Sequence, residues 1–263
     1  MSPQLELLNL EVTQKCRWNC PQCHLAKNAR DLDFEAAKKI LLDAKSLGLK
    51  CVNISGGETL LYPKLLELVE FCADEKILPN VAVSGAFFTA EYFKKLTAAG
   101  LYGIFVSLNG STEKINSLTR DGFAEAVAAL KIISGAKIFT AINWVMHFDN
   151  AEDFPAVVEL AERSEIQAVY VLMYKRRALN AFPNKNQIYQ LSRYVKNYTG
   201  KVALIVDRCF SQMRAVMGDW ILGNDNVGAL RGCRAGLDLC AVNADGTFSP
   251  CRHIKIFEQS TSI

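Results

Sequence analysis

Apolar positions along the chain switch repeatedly between a period of two and a period near 3.6. Leu5 to Val12 alternates as a strand does, and Asp33 to Leu47 carries Phe34, Ala37, Ile40, Leu41 and Ala44 on one helical face. Cys51 to Ser55 is a short apolar strand. Pro63 then opens a helix whose Leu65, Leu68, Val69 and Cys72 share a side. Val81 to Val83 reads as a strand, and Thr89 caps a helix carrying Phe93 and Leu96. Gly103 to Leu108 and Ile138 to Met146 are strands on either side of a helix over Phe123 to Ile133. Asn150 caps a helix with Phe154, Val157, Val158 and Ala161. Ala168 to Met173 is a strand, Gln187 to Val195 a helix, and Val202 to Val206 a further short strand.

Six strand–helix units imply an α/β fold with a parallel sheet and helices outside it. Six fall short of the eight of a closed barrel, so a partial (β/α)6 TIM-like barrel is expected. The rhythm stops after about residue 206, where Gly-rich stretches and short strand-like pieces begin. Residues 1–206 are therefore assigned to the barrel and 207–263 to a small C-terminal extension, too short to hold itself together without a staple.

Half of the 263 residues are hydrophobic, which excludes disorder and low complexity. No apolar run reaches the ~18 residues of a membrane span, and the start lacks the features of a signal peptide. A cytoplasmic protein is expected. The charge balance, 30 − 27 = +3, gives no reason to expect a nucleic-acid partner. Nine cysteines without an export signal point to metal rather than disulfides. Cys51 on a strand and Cys72 on a helix face read as core.

Cys16, Cys20 and Cys23 follow the first strand in the run CRWNCPQC. Zinc would need a fourth ligand, for which His24 is the candidate. An iron–sulfur cube held by three thiolates would instead leave one iron open. Gly56-Gly57-Glu58 follows the second strand. Ser107 and Asn109 end the fourth, Arg120 lies in TRDGF, and Asn143-Trp144-Val145 on the fifth precedes Asn150.

The C-X3-C-X2-C loop in register with Gly-Gly-Glu resembles the radical S-adenosylmethionine (radical SAM) superfamily. The resemblance implies that Cys16, Cys20 and Cys23 hold a 4Fe–4S cluster whose open iron chelates SAM. It places Gly56, Gly57 and Glu58 beside the methionine end of SAM, and adds Ser107, Asn109, Arg120 and Asn143 as cofactor contacts. The residue before the third cysteine is usually aromatic in that family and lies near the adenine. Here it is Gln22, with Trp18 or Leu172-Met173-Tyr174 as substitutes.

Cys233, then Gly246, then Cys251 is similar in spacing to the start of a SPASM or twitch extension. With Cys209 and Cys240, these residues are the expected ligands of a second, auxiliary 4Fe–4S cluster. Cys209 is alternatively a hydrogen donor. No second cysteine run follows, so the resemblance is to a twitch form or to a chain cut at its C-terminus. His147, His253 and Lys175-Arg176-Arg177 are further candidates at the barrel mouth or beside a cluster.

The resemblance implies reductive cleavage of SAM to a 5′-deoxyadenosyl radical, with a donor such as flavodoxin or ferredoxin supplying the electron. The radical would take a hydrogen atom from a ribosomally made precursor peptide, giving a crosslink, an epimerisation or an excision. A dehydrogenase of small carbinols and a non-catalytic iron–sulfur sensor are the alternatives. A strand beginning at Leu5 leaves no room for an N-terminal peptide-recognition segment, so a separate recognition protein is expected.

Overall fold

The computed structural model describes residues 4–23, 25, 29–174, 181–213 and 233–252. His24, Lys175, Arg176, Arg177 and His253 lie outside the described residues. The chain folds as two compact units, Met1–Arg17 with Leu25–Phe105 and Arg234–Ile263, and Trp18–His24 with Val106–Cys233.

In the first unit, β1 (Leu7–Thr13), β2 (Cys51–Gly56) and β3 (Leu78–Val83) are parallel neighbours. The helices α1 (Phe34–Ser46), α2 (Leu65–Asp74) and α3 (Ala90–Ala98) are the crossovers, as parallel pairing requires. Leu8, Leu10 and Val12 alternate along β1 and are essentially inaccessible, as are Val52, Ile54, Val81 and Val83 on its neighbours. Leu41, Leu65, Leu68, Val69 and Leu96 supply the helical half of that core. Asp33 caps α1 by accepting from Ala36 N–H at 2.8 Å, and Thr89 caps α3 by accepting from Tyr92 N–H at 3.1 Å. β3 starts earlier than the apolar pattern suggests. Pro79 sits near its beginning, where a missing N–H is tolerated and its carbonyl still accepts from Tyr102 N–H.

The other face of these strands is polar. Asn9, Asn53 and Asn80 stand in register and form a carboxamide ladder, Asn80 Nδ2 to Asn53 Oδ1 and Asn53 Nδ2 to Asn9 Oδ1, each 3.1 Å. Cys51 belongs to this face, its sulfur 3.0 Å from Asn80 Nδ2. Cys72 is fully buried, and burial pushes its thiol up to about 12.

The chain passes from the first unit to the second within β4 (Gly103–Ser107). The second unit then contains α4 (Glu113–Asn116), α5 (Phe123–Ile133), β5 (Phe139–Met146), α6 (Phe154–Arg163), β6 (Ala168–Met173), α7 (Lys185–Asn197) and β7 (Ala203–Val206). β5, β6 and β7 pair in parallel, Asn143 opposite Tyr170 and Tyr170 opposite Ile205. Trp144 is fully buried against Phe154, with ring centroids 4.8 Å apart. The turn α4, capped by Thr112, escaped the sequence reading because one helical turn has no period to detect.

Among the described residues after 206, the short strand-like pieces of the extension are strands. Arg208–Met213 is a 3-10 turn, but β8 (Leu239–Val242) pairs in parallel with β1, Leu8 opposite Cys240. A hairpin then returns β9 (Phe248–Ser249) antiparallel to β8. The compact units divide at 17/18, 24/25, 105/106 and 233/234. β8 is only four residues long, and its parallel partner is the chain's first strand, so no local signal marks that pairing.

Leu10 and Thr89 should separate core from surface effects in urea unfolding. Leu10→Ala, at a site with no exposure, should cost about 2–5 kcal/mol. Thr89→Ala should cost about 1 kcal/mol through its lost cap.

Candidate functional site

The exits of β1 and β2 are fastened backbone to backbone. Gly57 N–H donates to Thr13 C=O at 2.7 Å, and Glu58 N–H to Lys15 C=O at 2.8 Å. A side chain has no room there. A Cβ on Gly56 would meet Thr13 O at 2.5 Å, and one on Gly57 would meet Lys15 O at 2.3 Å. The glycine pair is therefore demanded by the chain's own β1 exit, an approach the sequence reading had reserved for a ligand. Asp31 holds the same segment from outside, accepting from Thr13 Oγ1 and from Lys15 Nζ at 2.6 Å each.

Glu58 is buried, and its carboxylate is largely committed. One oxygen accepts from Leu60 N–H at 3.3 Å, the other from the N–H and hydroxyl of Ser84 just beyond β3. Arg17, next to Cys16, lies over the exposed ring of Phe87 at 5.5 Å. Phe87 holds φ +61, a left-handed conformation that costs a bulky residue energy and that clusters near functional sites.

The rest of the cysteine loop rests on residues 119–122. Asn19 N–H donates to Asp121 Oδ2 at 2.7 Å, and Asp121 N–H points at Cys20 Sγ from 3.4 Å. Gln22 N–H donates to Thr119 C=O at 3.2 Å. The indole of Trp18 occupies the space beside Gly122, where a Cβ would come within 2.7 Å of it. Gly122 has φ +81, so glycine suits the site twice over.

Asn109 closes the arrangement. Its Nδ2 donates to Gln22 Oε1 at 2.7 Å and to Thr119 Oγ1 at 2.8 Å, and its Oδ1 accepts from Val145 N–H at 3.1 Å. Its N–H donates to Asn116 Oδ1, and its carbonyl accepts from Trp144 Nε1 and Asn150 Nδ2. The Asn143-Trp144-Val145 and Asn150 stretch thus ties the end of β5 to the end of β4. The valine N–H fixes which way the Asn109 amide faces, and Asn109 in turn fixes Gln22.

Arg120 is anchored by its main chain to Asn116, while its Nε is buried without a partner. Ser107 ends β4 and Asn143 lies within β5, and both are half-buried. His147 follows β5 nearly buried, its ring edge-on to Tyr174 at 5.0 Å. Burial lowers its pKa, and the carboxylate of Asp149 opposes that only in part. Nδ1 accepts Asp149 N–H at 3.1 Å, so the imidazole is neutral there and the nearby carboxylate is not an ion-pair partner.

Cys16, Cys20 and Cys23 are half-buried and form no disulfide. Cys233 is exposed, Cys209 and Cys251 half-buried. Cys240 is buried on β8, and burial pushes its thiol up to about 11, the behaviour of a packed cysteine. Among the described residues no three Cys, His, Asp or Glu side chains converge to hold a single metal ion. A cluster makes no such demand, because each thiolate binds its own iron. Sequence reasoning missed Thr119, Asp121 and the part played by Gln22. Their partners lie about a hundred residues away, and only the TRDGF run hinted at them.

The model of the Radical SAM superfamily matches residues 10–161, more than half the chain, and the chain belongs to that superfamily. It is 29% identical over 240 residues to a PqqA peptide cyclase of Gluconobacter oxydans, covering 83% of this chain and 66% of that one. A PqqA peptide cyclase of Ruegeria pomeroyi is 26% identical over 92% of this chain and 66% of its own. The chain thus spans just under two thirds of these relatives' length. Among solved structures, SuiB of Streptococcus suis bound to precursor peptide SuiA matches with a TM-score of 0.79 at 18% identity, over 99% of this chain and 62% of that one. Native anSMEcpe with bound AdoMet and Cp18Cys peptide matches at 0.68 and 15% identity, over 97% and 76%. The fold is theirs.

The family carries a 4Fe–4S cluster and SAM, and the residues present suit both. Three cysteines that form no disulfide share a short loop, Cys20 receives the Asp121 N–H, and the Nε of Arg120 is a buried donor without an acceptor. No helix among the described residues is long and apolar enough to cross a membrane.

Gly57→Ala drives a methyl into the Lys15 carbonyl. It should lower stability by about 1–3 kcal/mol in urea unfolding and reduce iron loading of the reconstituted protein. The His147 pKa falls on folding, so the unfolded chain binds that proton more tightly. The stability this gives the neutral ring is present above the unfolded pKa of about 6.5 and is lost as pH falls below it. His147→Gln should flatten that part of the curve of melting temperature against pH.

Proposed function

We propose that this chain is a radical SAM maturase that acts on a ribosomally made peptide. The observation that carries the reading is the cysteine loop itself, held in place by Asp121, Thr119 and Asn109 at the exit of the first strand. In this reading Cys16, Cys20 and Cys23 each supply a thiolate to one iron of the first cluster. When bound, cluster and SAM supply the electron and the 5′-deoxyadenosyl group that remove a hydrogen atom from the substrate.

The protein's own part is to bind, orient and keep out water. Arg120 Nε offers a buried donor to the carboxylate of SAM. In this reading Glu58 is the acceptor for its ammonium. Gly56 and Gly57 fix the position of Glu58 by letting the β2 exit lie on the β1 exit. Ser107 and Asn143 are further cofactor contacts in this reading, and Asn109 acts by holding Gln22.

The peptide substrate is supported by the names of the relatives, PqqA peptide cyclases, and by the likeness to SuiB bound to SuiA. Cys209, Cys233 and Cys251, with Cys240, form an auxiliary 4Fe–4S site in the 207–263 region, and Cys240 is the weakest member because it is packed in β8. A flavodoxin- or ferredoxin-like protein delivers the electron, and a separate recognition protein presents the peptide.

The test is anaerobic reconstitution with dithionite and SAM. Wild-type protein should release 5′-deoxyadenosine, and the variant with Cys16, Cys20 and Cys23 all changed to alanine should release none. That variant should keep about four of about eight irons, one cube of two. PqqA of Gluconobacter oxydans and the short peptide encoded nearest this chain's gene are then offered with SAM and followed by mass spectrometry. Loss of two hydrogens marks a crosslink. Undiminished 5′-deoxyadenosine in the triple variant overturns the reading. Turnover of a small carbinol with no change in any peptide overturns its substrate.

A further inference from the structure

We propose that Asp121 is a positioning residue that sets the reduction potential of the SAM-binding cluster through Cys20. The inference rests on the reading of Cys16, Cys20 and Cys23 as cluster ligands and goes beyond it. Asp121 grips the loop on both sides of the ligand bond. Its carboxylate accepts from Asn19 N–H at 2.7 Å, and its own N–H is directed at Cys20 Sγ from 3.4 Å. The two contacts are cooperative. Holding Asn19, the residue before Cys20, keeps the sulfur in front of the N–H. Gly122 and Trp18 fix the approach from below, since the indole fills the place of a Cβ at Gly122. Thr119 and Asn109 hold Gln22 on the far side of Cys20. The loop is thus pinned at residues 18, 19, 20 and 22 by one short segment and one buried amide.

An N–H aimed at a ligand sulfur matters for electron transfer because negative charge on the sulfur grows when the cluster is reduced. The hydrogen bond stabilises the reduced form more than the oxidised one and raises the potential. The carboxylate of Asp121 has the opposite electrostatic effect, since a negative charge near the cluster disfavours the added electron. The clasp and the charge therefore push in opposite directions, and variants can separate them. Asp121→Asn removes the charge and keeps an acceptor for Asn19. Asp121→Ala removes both. Asp121→Glu keeps the charge but carries the carboxylate one methylene too far to grip Asn19.

The measurement is a redox titration of reconstituted full-length protein followed by electron paramagnetic resonance. The cluster in question is the one whose signal changes on adding SAM, with the Cys16/Cys20/Cys23 triple-alanine protein as the blank. D121N should titrate above wild type. D121A should fall below D121N, and D121E below wild type. Iron release to a chelator should be about fivefold faster in D121A than in D121N, the factor expected for one lost hydrogen bond. Melting curves of all variants accompany the titration, and D121E carries the test if D121A does not fold. A residue with only a structural role would lower melting temperature and leave the potentials of D121A and D121N equal. That result overturns the proposal, as does D121E titrating with wild type. Absence of any reducible, SAM-responsive signal in wild type would instead remove the cluster assignment itself.

Discussion

The side-chain amide of Asn109 is the fastening on which the local order of the cysteine loop depends. It is fully buried, and each of its side-chain polar atoms has a partner. A buried polar group left without a partner costs about 1–3 kcal/mol, so a network like this is stable only when complete. Completeness here is directional. Val145 offers a backbone N–H, which forces the amide oxygen toward β5 and the two N–H groups toward Gln22 and Thr119. The end of β5, the end of β4 and the loop beyond Cys20 are then set by one group. Asn150 and Trp144 reinforce it through the Asn109 carbonyl. Whatever else they meet, Asn109, Trp144, Val145 and Asn150 are joinery for the strand ends.

At the other end of the same loop the constraint is steric rather than polar. Glycines at 56 and 57 let the exit of β2 lie directly on the exit of β1, close enough that a methyl group would overlap a carbonyl. Glu58 is then carried down to Ser84 and becomes a bridge to the end of β3. The Gly-Gly-Glu run fixes the loop before any ligand arrives, and a pre-fixed loop loses less entropy when a cofactor binds.

How much of this could be read from the chain depends on the range over which each feature is encoded. Strand and helix periods are local, and the six strand–helix units stand where the apolar rhythm puts them. The cysteine spacing is local too, which is why Cys16, Cys20 and Cys23 are legible without a structure. Gln22 was visible only as a departure from an aromatic position. Its partner Asn109 lies 87 residues away, and nothing near Gln22 announces the bond. Asp121 is equally silent, since an aspartate before a glycine reads as an ordinary turn. β8 is legible only as a short strand-like piece. Its place is set by the edge that β1 leaves unpaired, more than two hundred residues earlier in the chain, and nothing local encodes that choice.

The residues expected to meet a cofactor can be sorted by the hydrogen-bonding capacity the fold leaves them. Asn109 has spent both amide donors on Gln22 and Thr119, so a ligand could engage it only at the cost of the loop. Glu58 has committed both carboxylate oxygens, one to Leu60 and one to Ser84. Arg120 is the reverse case. Its backbone is locked to Asn116 while its Nε is buried with nothing to donate to, a state that costs energy unless something completes it. A family motif marks all three alike, because a motif records position and not valence. The structure separates them into two members whose side chains hold strand ends together and one whose Nε is buried without an acceptor. A carboxylate brought to Arg120 would therefore find a positioned, desolvated partner, and the charge-assisted bond formed there would be worth more than the same bond at the surface.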